Sequence, residues 1–205
     1  MAPRPDVSDQ RRNQILDAAM AVFARMGFER ARMDDIADEA GVSKGALYLY
    51  YKSKDTIIAT LLQFFFDRAI KQIRALAAGD GSVTAQLLTM TREMTREMER
   101  MATIQPVALQ FYAVAARQSA VRRHLRVYFA EYRGVLEGII QRGIAQDEFR
   151  PTISPSEVAI TISALLEGLA LLWLVDPQCA DWRPQVDISM HHLLQGIVTG
   201  PMPPA

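Results

Sequence analysis

A stretch of lysines and tyrosines at residues 44–54 holds the side chains of this chain that are best suited to binding a phosphate-rich partner. The stretch reads KGALYLYYKSK, and no aspartate or glutamate occurs between residues 40 and 54. Lysine ammonium groups, tyrosine hydroxyls and the free N–H groups at a helix start all bind phosphate oxygens. Gly45 and Ala46 are small enough for a helix to approach base edges closely. These residue types favour nucleic-acid binding, although packed tyrosines beside a solvated lysine face would give the same composition.

Two short helices joined by a tight turn would position this stretch. Gly41 starts the turn, where a left-handed backbone is free of a Cβ clash, and Ser43 is a good helix cap. A turn of three residues between two helices predicts a helix-turn-helix at about residues 33–52, whose second helix can lie in a major groove. Apolar residues repeat at helical spacing on both sides of the turn, namely Met33, Ile36, Ala37 and Ala40 and then Ala46, Leu47 and Tyr50.

Helical patterns continue along the rest of the chain, so we predict an all-α fold. No proline occurs between residues 6 and 105, and no run of strict apolar–polar alternation indicates a strand. The first helix is predicted from Ser8 to a stop at Gly27, and a fourth begins after Ser53. Beyond a break at residues 79–81, five more helices are predicted at about 82–101, 104–117, 119–145, 155–175 and 184–198.

Residues 10–70 resemble the DNA-binding domain of TetR-family transcriptional regulators. The matching stretches are ILDAAMAVFARMGFE and IADEAGVSKGALYLYYKSKD, in which the turn, the recognition helix and the following lysines fall in register. The remaining residues are similar to this family in helical character and length alone. The resemblance implies an N-terminal three-helix helix-turn-helix domain, residues 10–70, joined through a fourth helix to a larger helical domain, residues 71–205, for ligand binding and dimerisation.

The resemblance also implies DNA-contacting roles for individual residues. Base edges and backbone would meet the front of the recognition helix through Ser43, Lys44, Gly45, Ala46 and Leu49. Phosphates would be bound by Tyr48, Tyr50, Lys52 and Lys54, whereas Leu47 would belong to the core. Arg32 stands where threonine is common in the family; its guanidinium cannot accept the N–H bonds of a helix cap, but it pairs strongly with phosphate. Tyr51 replaces the usual phenylalanine, and we expect its hydroxyl at the surface.

The second half of such a chain would hold a dimer interface. Residues 160–175 are apolar on nearly every side, which predicts a helix buried on more than one face. Together with residues 184–198, this helix would form a four-helix bundle with a second subunit, a symmetric contact that suits a palindromic operator. The residues expected at this interface are Leu165, Leu169, Leu172, Ile188, His191, Leu194, Gln195 and Val198.

Methionines and aromatic residues are the candidates for a pocket that takes a small apolar or amphipathic ligand. A methionine stripe on the fifth helix could repack around such a ligand, although core packing is the simpler explanation. Glu167 lies in the most apolar helix, where a carboxylate needs a partner or faces a cationic ligand. The pocket candidates are Phe64, Met94, Met98, Met101, Phe111, Tyr112, Tyr128, Tyr132, Glu167 and Trp173.

Composition argues against several other classes of protein. The 23 basic and 23 acidic residues give a formal net charge of zero, unlike a general nucleic-acid coat protein. The single cysteine permits no intramolecular disulfide, and with three histidines it shows no metal-ligand spacing, so we expect neither metal nor cofactor. A polar start, and an interrupted apolar run at 160–175 that is shorter than the roughly 20 residues a bilayer requires, favour a cytoplasmic protein without a membrane span. No nucleophile elbow or phosphate loop indicates an enzyme or a catalytic residue.

The pattern as a whole predicts a homodimeric, ligand-responsive regulator that binds double-stranded operator DNA. Its simplest form is a repressor that a small apolar or amphipathic effector releases from a palindromic operator. Two alternatives stay open at this point. One is a helical ligand-binding or scaffold protein whose DNA-binding domain is vestigial, and the other is a DNA-binding protein without an effector.

Overall fold

The computed structural model describes residues 7–79, 81–100 and 105–200. Within these residues the chain forms nine α-helices and no strand, which confirms the all-α prediction. One isolated antiparallel bridge pairs Phe149 with Val198. The helices are α1 (Val7–Arg30), α2 (Met33–Glu39), α3 (Lys44–Tyr50), α4 (Lys54–Ala77), α5 (Val83–Arg100), α6 (Gln105–Arg117), α7 (Ser119–Ala145), α8 (Pro155–Val175) and α9 (Trp182–Gln195).

The chain divides into two compact units. The first comprises Met1–Asp67 and Ala102–Leu125, and the second comprises Arg68–Met101 and Arg126–Ala205. From the sequence we expected every residue after 70 in one domain. The division instead groups α6 and the start of α7 with the helix-turn-helix.

In the first unit, the end of α1 packs against α6. Gly27 interrupts α1 with a φ of +77° and a ψ of 162°, at the residue where the sequence predicted a stop. Just beyond it, the Phe28 N–H donates to Gln110 Oε1 at 2.5 Å, and the Phe28 ring centroid lies 5.1 Å from that of Phe111. These contacts between distant parts of the chain explain why α6 belongs to this unit. The fully buried core side chains include Ile15, Val22, Phe23, Ile36, Leu47, Ile57 and Leu62.

The second unit has its own core and a polar cap on α5. Glu148 accepts hydrogen bonds from the N–H groups of Val83 at 2.7 Å and Thr84 at 3.0 Å, and from the Ser82 hydroxyl at 2.9 Å. Burial by itself raises the pKa of Glu148, but these hydrogen bonds outweigh it and lower the pKa below its ordinary value. The largest fully buried side chains here are Ile73, Leu87, Met90, Leu136, Tyr132 and Phe149.

Helix α8 is the most apolar element and is poorly covered within one chain. It spans 21 residues and is, by length and composition alone, long and apolar enough to cross a membrane, so the expectation that this apolar run is too short for a bilayer is wrong. Within the chain, 17% of its most apolar window is buried. Much of α8 is therefore uncovered in the single chain, and the second buried face expected against a partner subunit stays a prediction. Its exposed large apolar side chains are Ile160, Leu171, Leu172 and Val175.

Candidate nucleic-acid interface

The turn between α2 and α3 is fixed by backbone hydrogen bonds and by a left-handed glycine. Gly41 has a φ of +62°, as the sequence predicted, and its N–H donates to the carbonyl of Asp38 at 3.1 Å. The Val42 N–H donates to the carbonyl of Ala37 at 3.0 Å. This pair of bonds is a Schellman motif, which ends α2 and turns the chain sharply. Ser43 then caps α3, because its hydroxyl accepts from the Ala46 N–H at 3.1 Å.

Helix α3 buries one side and leaves the other open to solvent. Leu47 is 0% exposed, which confirms its prediction as a core residue, whereas Leu49 is 75% exposed. Gly45 has open space where a Cβ would stand, so a partner can approach its backbone closely. We define the outer face of α3 by its four exposed residues, which are Lys44, Gly45, Tyr48 and Leu49. Ala46 and Tyr50 flank this face and are half-buried.

Two lysines of the predicted contact set are exposed at opposite ends of α3. Lys44 pairs with the carboxylate of Asp34 on α2, with Nζ and Oδ1 2.8 Å apart, and both side chains stay more than half exposed. The hydrogen bond from Lys44 to Asp34 and their opposite charges raise the pKa of Lys44. Lys52 donates one hydrogen bond to the carbonyl of Tyr48 at 3.1 Å, and an ammonium group has three donors. Both ammonium groups are therefore accessible from solvent at this face.

Lys54 has a different role from the one expected. Its ammonium group donates to the carbonyls of Phe28 at 2.5 Å, Ala31 at 2.9 Å and Glu29 at 3.3 Å. These three bonds use all three of its donors. Lys54 therefore ties the start of α4 to the chain after Gly27, and we remove it from the set of phosphate-binding candidates.

Arg32 occupies the cap position of α2 without capping it through its side chain. The guanidinium group carries only donors and cannot accept an N–H bond, so the side chain makes no cap hydrogen bond at the start of α2. The backbone N–H of Arg32 instead donates to Asp35 Oδ2 at 2.8 Å, the return half of a capping box. The side chain of Arg32 is exposed and can pair with phosphate.

The sequence analysis overlooked two residues of α1 that support the interface. The Arg12 guanidinium lies 5.6 Å from the centroid of the Tyr50 ring, a cation–π distance. Gln14 donates to the carbonyl of Ala40 at 2.7 Å and so holds the end of α2. Tyr51 is 3% exposed, so the expectation of a surface hydroxyl is wrong. Burial raises the pKa of Tyr51 despite the nearby Arg12 charge. No local pattern in the sequence links Arg12 or Gln14 to the turn.

Two family profiles match this chain. Residues 15–61 match "Bacterial regulatory proteins, tetR family", and residues 83–197, more than half of the chain, match "BetI-type transcriptional repressor, C-terminal". The chain belongs to the TetR family. It is a DNA-binding regulator of transcription, and both the resemblance and the helix-turn-helix prediction are confirmed.

Relatives with names or structures of the same kind match most of the length of this TetR-family chain. The uncharacterized HTH-type transcriptional regulator YfiR of Bacillus subtilis (strain 168) is 31% identical over 162 residues, which cover 78% of each protein. The transcriptional regulator FadR from Bacillus subtilis in complex with stearoyl-CoA has a TM-score of 0.78 at 23% identity, covering 90% of this chain and 98% of that chain. The complex of triclosan with SmeT, a repressor from Stenotrophomonas maltophilia, has a TM-score of 0.82 at 18% identity, covering 95% and 100%. At these identities the two solved structures establish the fold.

The pocket candidates of this TetR-family regulator fall into both compact units. In the first unit, Phe64 and Tyr112 are exposed, but Phe111 is 5% exposed and packs on Phe28. Phe111 therefore packs in the core of the helix-turn-helix unit, and its assignment to a pocket wall stays a prediction. In the second unit, the candidates that are partly buried against the core are Met94, Met98, Tyr128 and Trp173. Met101 lies outside the described residues.

Two stacked tyrosines near Glu167 form the most polar group among these candidates. The rings of Tyr128 and Tyr132 are nearly parallel, with their centroids 6.3 Å apart. Tyr132 is 2% exposed, and its hydroxyl has no hydrogen-bond partner among the described residues. Burial raises the pKa of both tyrosines far above its usual value, and the charge of Glu167 raises it further. The Tyr132 hydroxyl is thus a protonated donor inside the second unit.

The interface candidates divide between the core and the surface of the second unit. Leu194 is 0% exposed, and His191 is 9% exposed with its Nδ1 2.8 Å from the carbonyl of Asp187. Both are core residues, so their assignment to a contact between subunits is corrected. Leu165, Leu169 and Val198 are partly buried against the same core. The candidates that stay exposed are Leu172, Ile188 and Gln195.

Proposed function

We propose that this TetR-family regulator is a homodimeric, effector-responsive repressor that places α3 of each subunit in a major groove of a palindromic operator. The exposed outer face of α3, with a buried Leu47 behind it, is the observation that carries this proposal. The regulator acts by binding rather than by catalysis, and it works in the cytoplasm. The proposed DNA contacts are Arg12, Arg32, Ser43, Lys44, Gly45, Ala46, Tyr48, Leu49, Tyr50 and Lys52.

The exposed apolar face of α8 supports the dimeric form of the proposal. Leu172 is 58% exposed and Val175 is 72% exposed, and apolar surface of this kind is costly to leave in water. A second copy of α8 and α9 would cover these side chains on both subunits at once, because a two-fold contact uses the same patch twice. Two subunits related in this way would present two recognition helices to the two half-sites of one operator.

The effector site of the proposal is centred on Tyr132 in the second unit. A buried hydroxyl without a partner costs about 1–3 kcal/mol, a cost that a ligand acceptor would remove. The partly buried Met94, Met98 and Trp173 lie against the same core and would supply apolar contacts. Two proteins of the same fold carry stearoyl-CoA and triclosan, which are amphipathic and apolar molecules respectively. The effector must favour the conformation that does not bind DNA, since a ligand with equal affinity for both conformations shifts nothing.

Titration of the full chain onto its own promoter region at fixed salt tests the DNA-binding proposal. We expect selective binding that the double substitution Lys44→Ala with Tyr48→Ala abolishes while the urea unfolding midpoint stays unchanged, since both side chains are exposed. Lys71→Ala, which removes an exposed lysine of α4, is the matched control and should retain binding. Equal binding to promoter and unrelated DNA would contradict the proposal.

Release of the bound promoter by stearoyl-CoA or by triclosan, added separately, tests the effector proposal. We expect at least one of the two to weaken DNA binding by the wild-type chain, and Tyr132→Phe to remove that response without lowering stability. Phenylalanine keeps the ring and removes the hydroxyl alone, so stability should hold or rise slightly. An unchanged response in Tyr132→Phe would exclude this hydroxyl as a ligand contact. Failure of both compounds to alter DNA binding would favour a DNA-binding protein without an effector of these chemical types.

A further inference from the structure

An exposed ion pair joins the two helices of the helix-turn-helix at the end expected to face DNA. Lys44 is the first residue of α3, and Asp34 is the second residue of α2. Lys44 Nζ lies 2.8 Å from Asp34 Oδ1 and 3.0 Å from Oδ2. The two side chains are 60% and 55% exposed, so neither is held in place by burial. An exposed pair of this kind adds little to stability, so its effect is expected on what the α3 face binds.

The pair has a particular consequence for binding to the DNA backbone. A phosphate that approaches Lys44 also approaches the Asp34 carboxylate, because the two charged groups are in contact. At a distance of about 6 Å in water, the repulsion from one such carboxylate weakens binding by about threefold. Nonspecific affinity for DNA comes from phosphate contacts and counterion release. A Lys44 whose charge is balanced by the Asp34 carboxylate therefore contributes little to this affinity.

Base edges in the major groove present a different target. A guanine offers O6 and N7 as acceptors, and the N4 amino group of its paired cytosine is a donor beside them. Lysine is a donor to guanine, and a carboxylate accepts from cytosine N4. We propose that Asp34 is a specificity-determining residue, whose pairing with Lys44 suppresses phosphate binding and directs both side chains to a G·C base pair in each half-site.

This inference rests on the proposed function, in which α3 faces the major groove. Asp38 provides a matched control, since it is an exposed acid on the same helix, one turn away from Asp34. Asp34→Asn and Asp38→Asn each remove one negative charge, but Asp34→Asn alone releases Lys44. Urea unfolding of both variants gives a check that the fold is retained.

The experiment has two readouts on the full chain. The first is affinity for a labelled duplex of random sequence at fixed salt, and the second is the set of sites enriched from a random duplex library. We expect Asp34→Asn to raise affinity for the random duplex by about tenfold in the dimer, the product of about threefold per subunit. We expect Asp38→Asn to change it less than twofold. In the library, wild type and Asp38→Asn should share a G·C pair in each half-site that Asp34→Asn no longer prefers.

Two results would overturn the proposal. One is an equal rise in random-duplex affinity for the two variants, which would make Asp34 an ordinary surface acid. The other is an enriched site in which no position loses preference in Asp34→Asn. A wild-type chain that enriches no sequence at all would instead refute the proposed function. This outcome is distinguishable because it is observed with the wild type alone, without any comparison with Asp34→Asn. Adding Lys44→Ala to Asp34→Asn should abolish the gain in random-duplex affinity, since the released cation is then absent.

Discussion

The outer face of α3 and the exposed face of α8 are both open to solvent in the single chain, yet they carry opposite chemistry. The α3 face is made of a cation, a glycine, a tyrosine and one leucine, next to a glycine-started turn. The α8 face consists of large apolar side chains, including Ile160, Leu172 and Val175. The spacing of the turn residues and polar groups identifies the helix-turn-helix directly, although Lys54 of the same stretch serves the fold. An apolar side chain can serve a core, a pocket or an interface, and spacing does not separate these uses.

Disruption of the α8 face should produce the largest effect. Leu172→Glu places a charge in the proposed contact between subunits, where it would be left unpaired. We expect a monomer by light scattering and a loss of operator affinity of about 100-fold, because each half-site is then bound separately. Val127→Glu, an equally exposed apolar position on α7, is the control and should leave the dimer intact. A Leu172→Glu dimer of wild-type affinity would show that α8 is not the interface.

The two lysines that follow α3 separate structural from DNA-binding roles. Lys54→Ala removes three hydrogen bonds to carbonyls, so we expect a loss of about 2–3 kcal/mol in the free energy of unfolding. Lys52→Ala should change that free energy by less than about 0.5 kcal/mol and reduce the salt slope of operator binding by about one per subunit. Urea titration and binding over a salt series provide the two measurements. The assignment fails if Lys54→Ala is as stable as Lys52→Ala.

The second unit also contains a polar contact with a measurable pH dependence. Because the pKa of Glu148 is lower in the folded chain than its ordinary value of 4.5, its contribution is present above that pH. It is lost as the pH falls through the lowered value. Glu148→Gln should therefore be less stable than wild type by about 1–2 kcal/mol at pH 7. The difference should shrink as the pH falls through the lowered pKa, and a difference independent of pH would contradict the assigned cap.

Two glycines of the helix-turn-helix should respond oppositely to alanine. Gly41→Ala forces a Cβ into left-handed backbone and should cost about 1 kcal/mol of stability, although the space around it is open. Gly45→Ala lies within α3 and should raise stability by about 0.5–1 kcal/mol. The same Cβ projects from the outer face of α3 and should weaken operator binding. Thermal unfolding and promoter titration of both variants measure these effects. Wild-type affinity in Gly45→Ala would show that the backbone at Gly45 does not lie against DNA.

Local sequence patterns were sufficient to predict the helices and the turn between α2 and α3. Gly41, Ser43 and Leu47 have the conformation, cap and burial that their residue types predict, because each depends on neighbours a few residues away. The role of Lys54 could not be predicted in this way, since its partners are carbonyls 23–26 residues earlier in the chain. Spacing within the motif cannot show that those donors are already used.

Long-range packing accounts for the features that the sequence did not reveal. Phe111 and Leu194 have the apolar character of pocket or interface residues, but contacts with distant elements bury them in two separate cores. The cap that Glu148 provides to Thr84 joins residues 64 positions apart, so no periodic pattern reveals it. Leu172 is exposed in the single chain, so its place at the expected interface stays a prediction that the Leu172→Glu variant tests.

Enrichment of bound sequences from a random duplex library by the full chain tests the central claim most directly. A dimer that places one α3 in each of two major grooves should enrich a palindrome whose half-site centres lie about 10 base pairs, or a multiple of that distance, apart. The double variant Lys44→Ala with Tyr48→Ala should enrich nothing. Enrichment of a single unrepeated site, or the same enrichment by the double variant, would contradict the claim that paired α3 helices read the operator.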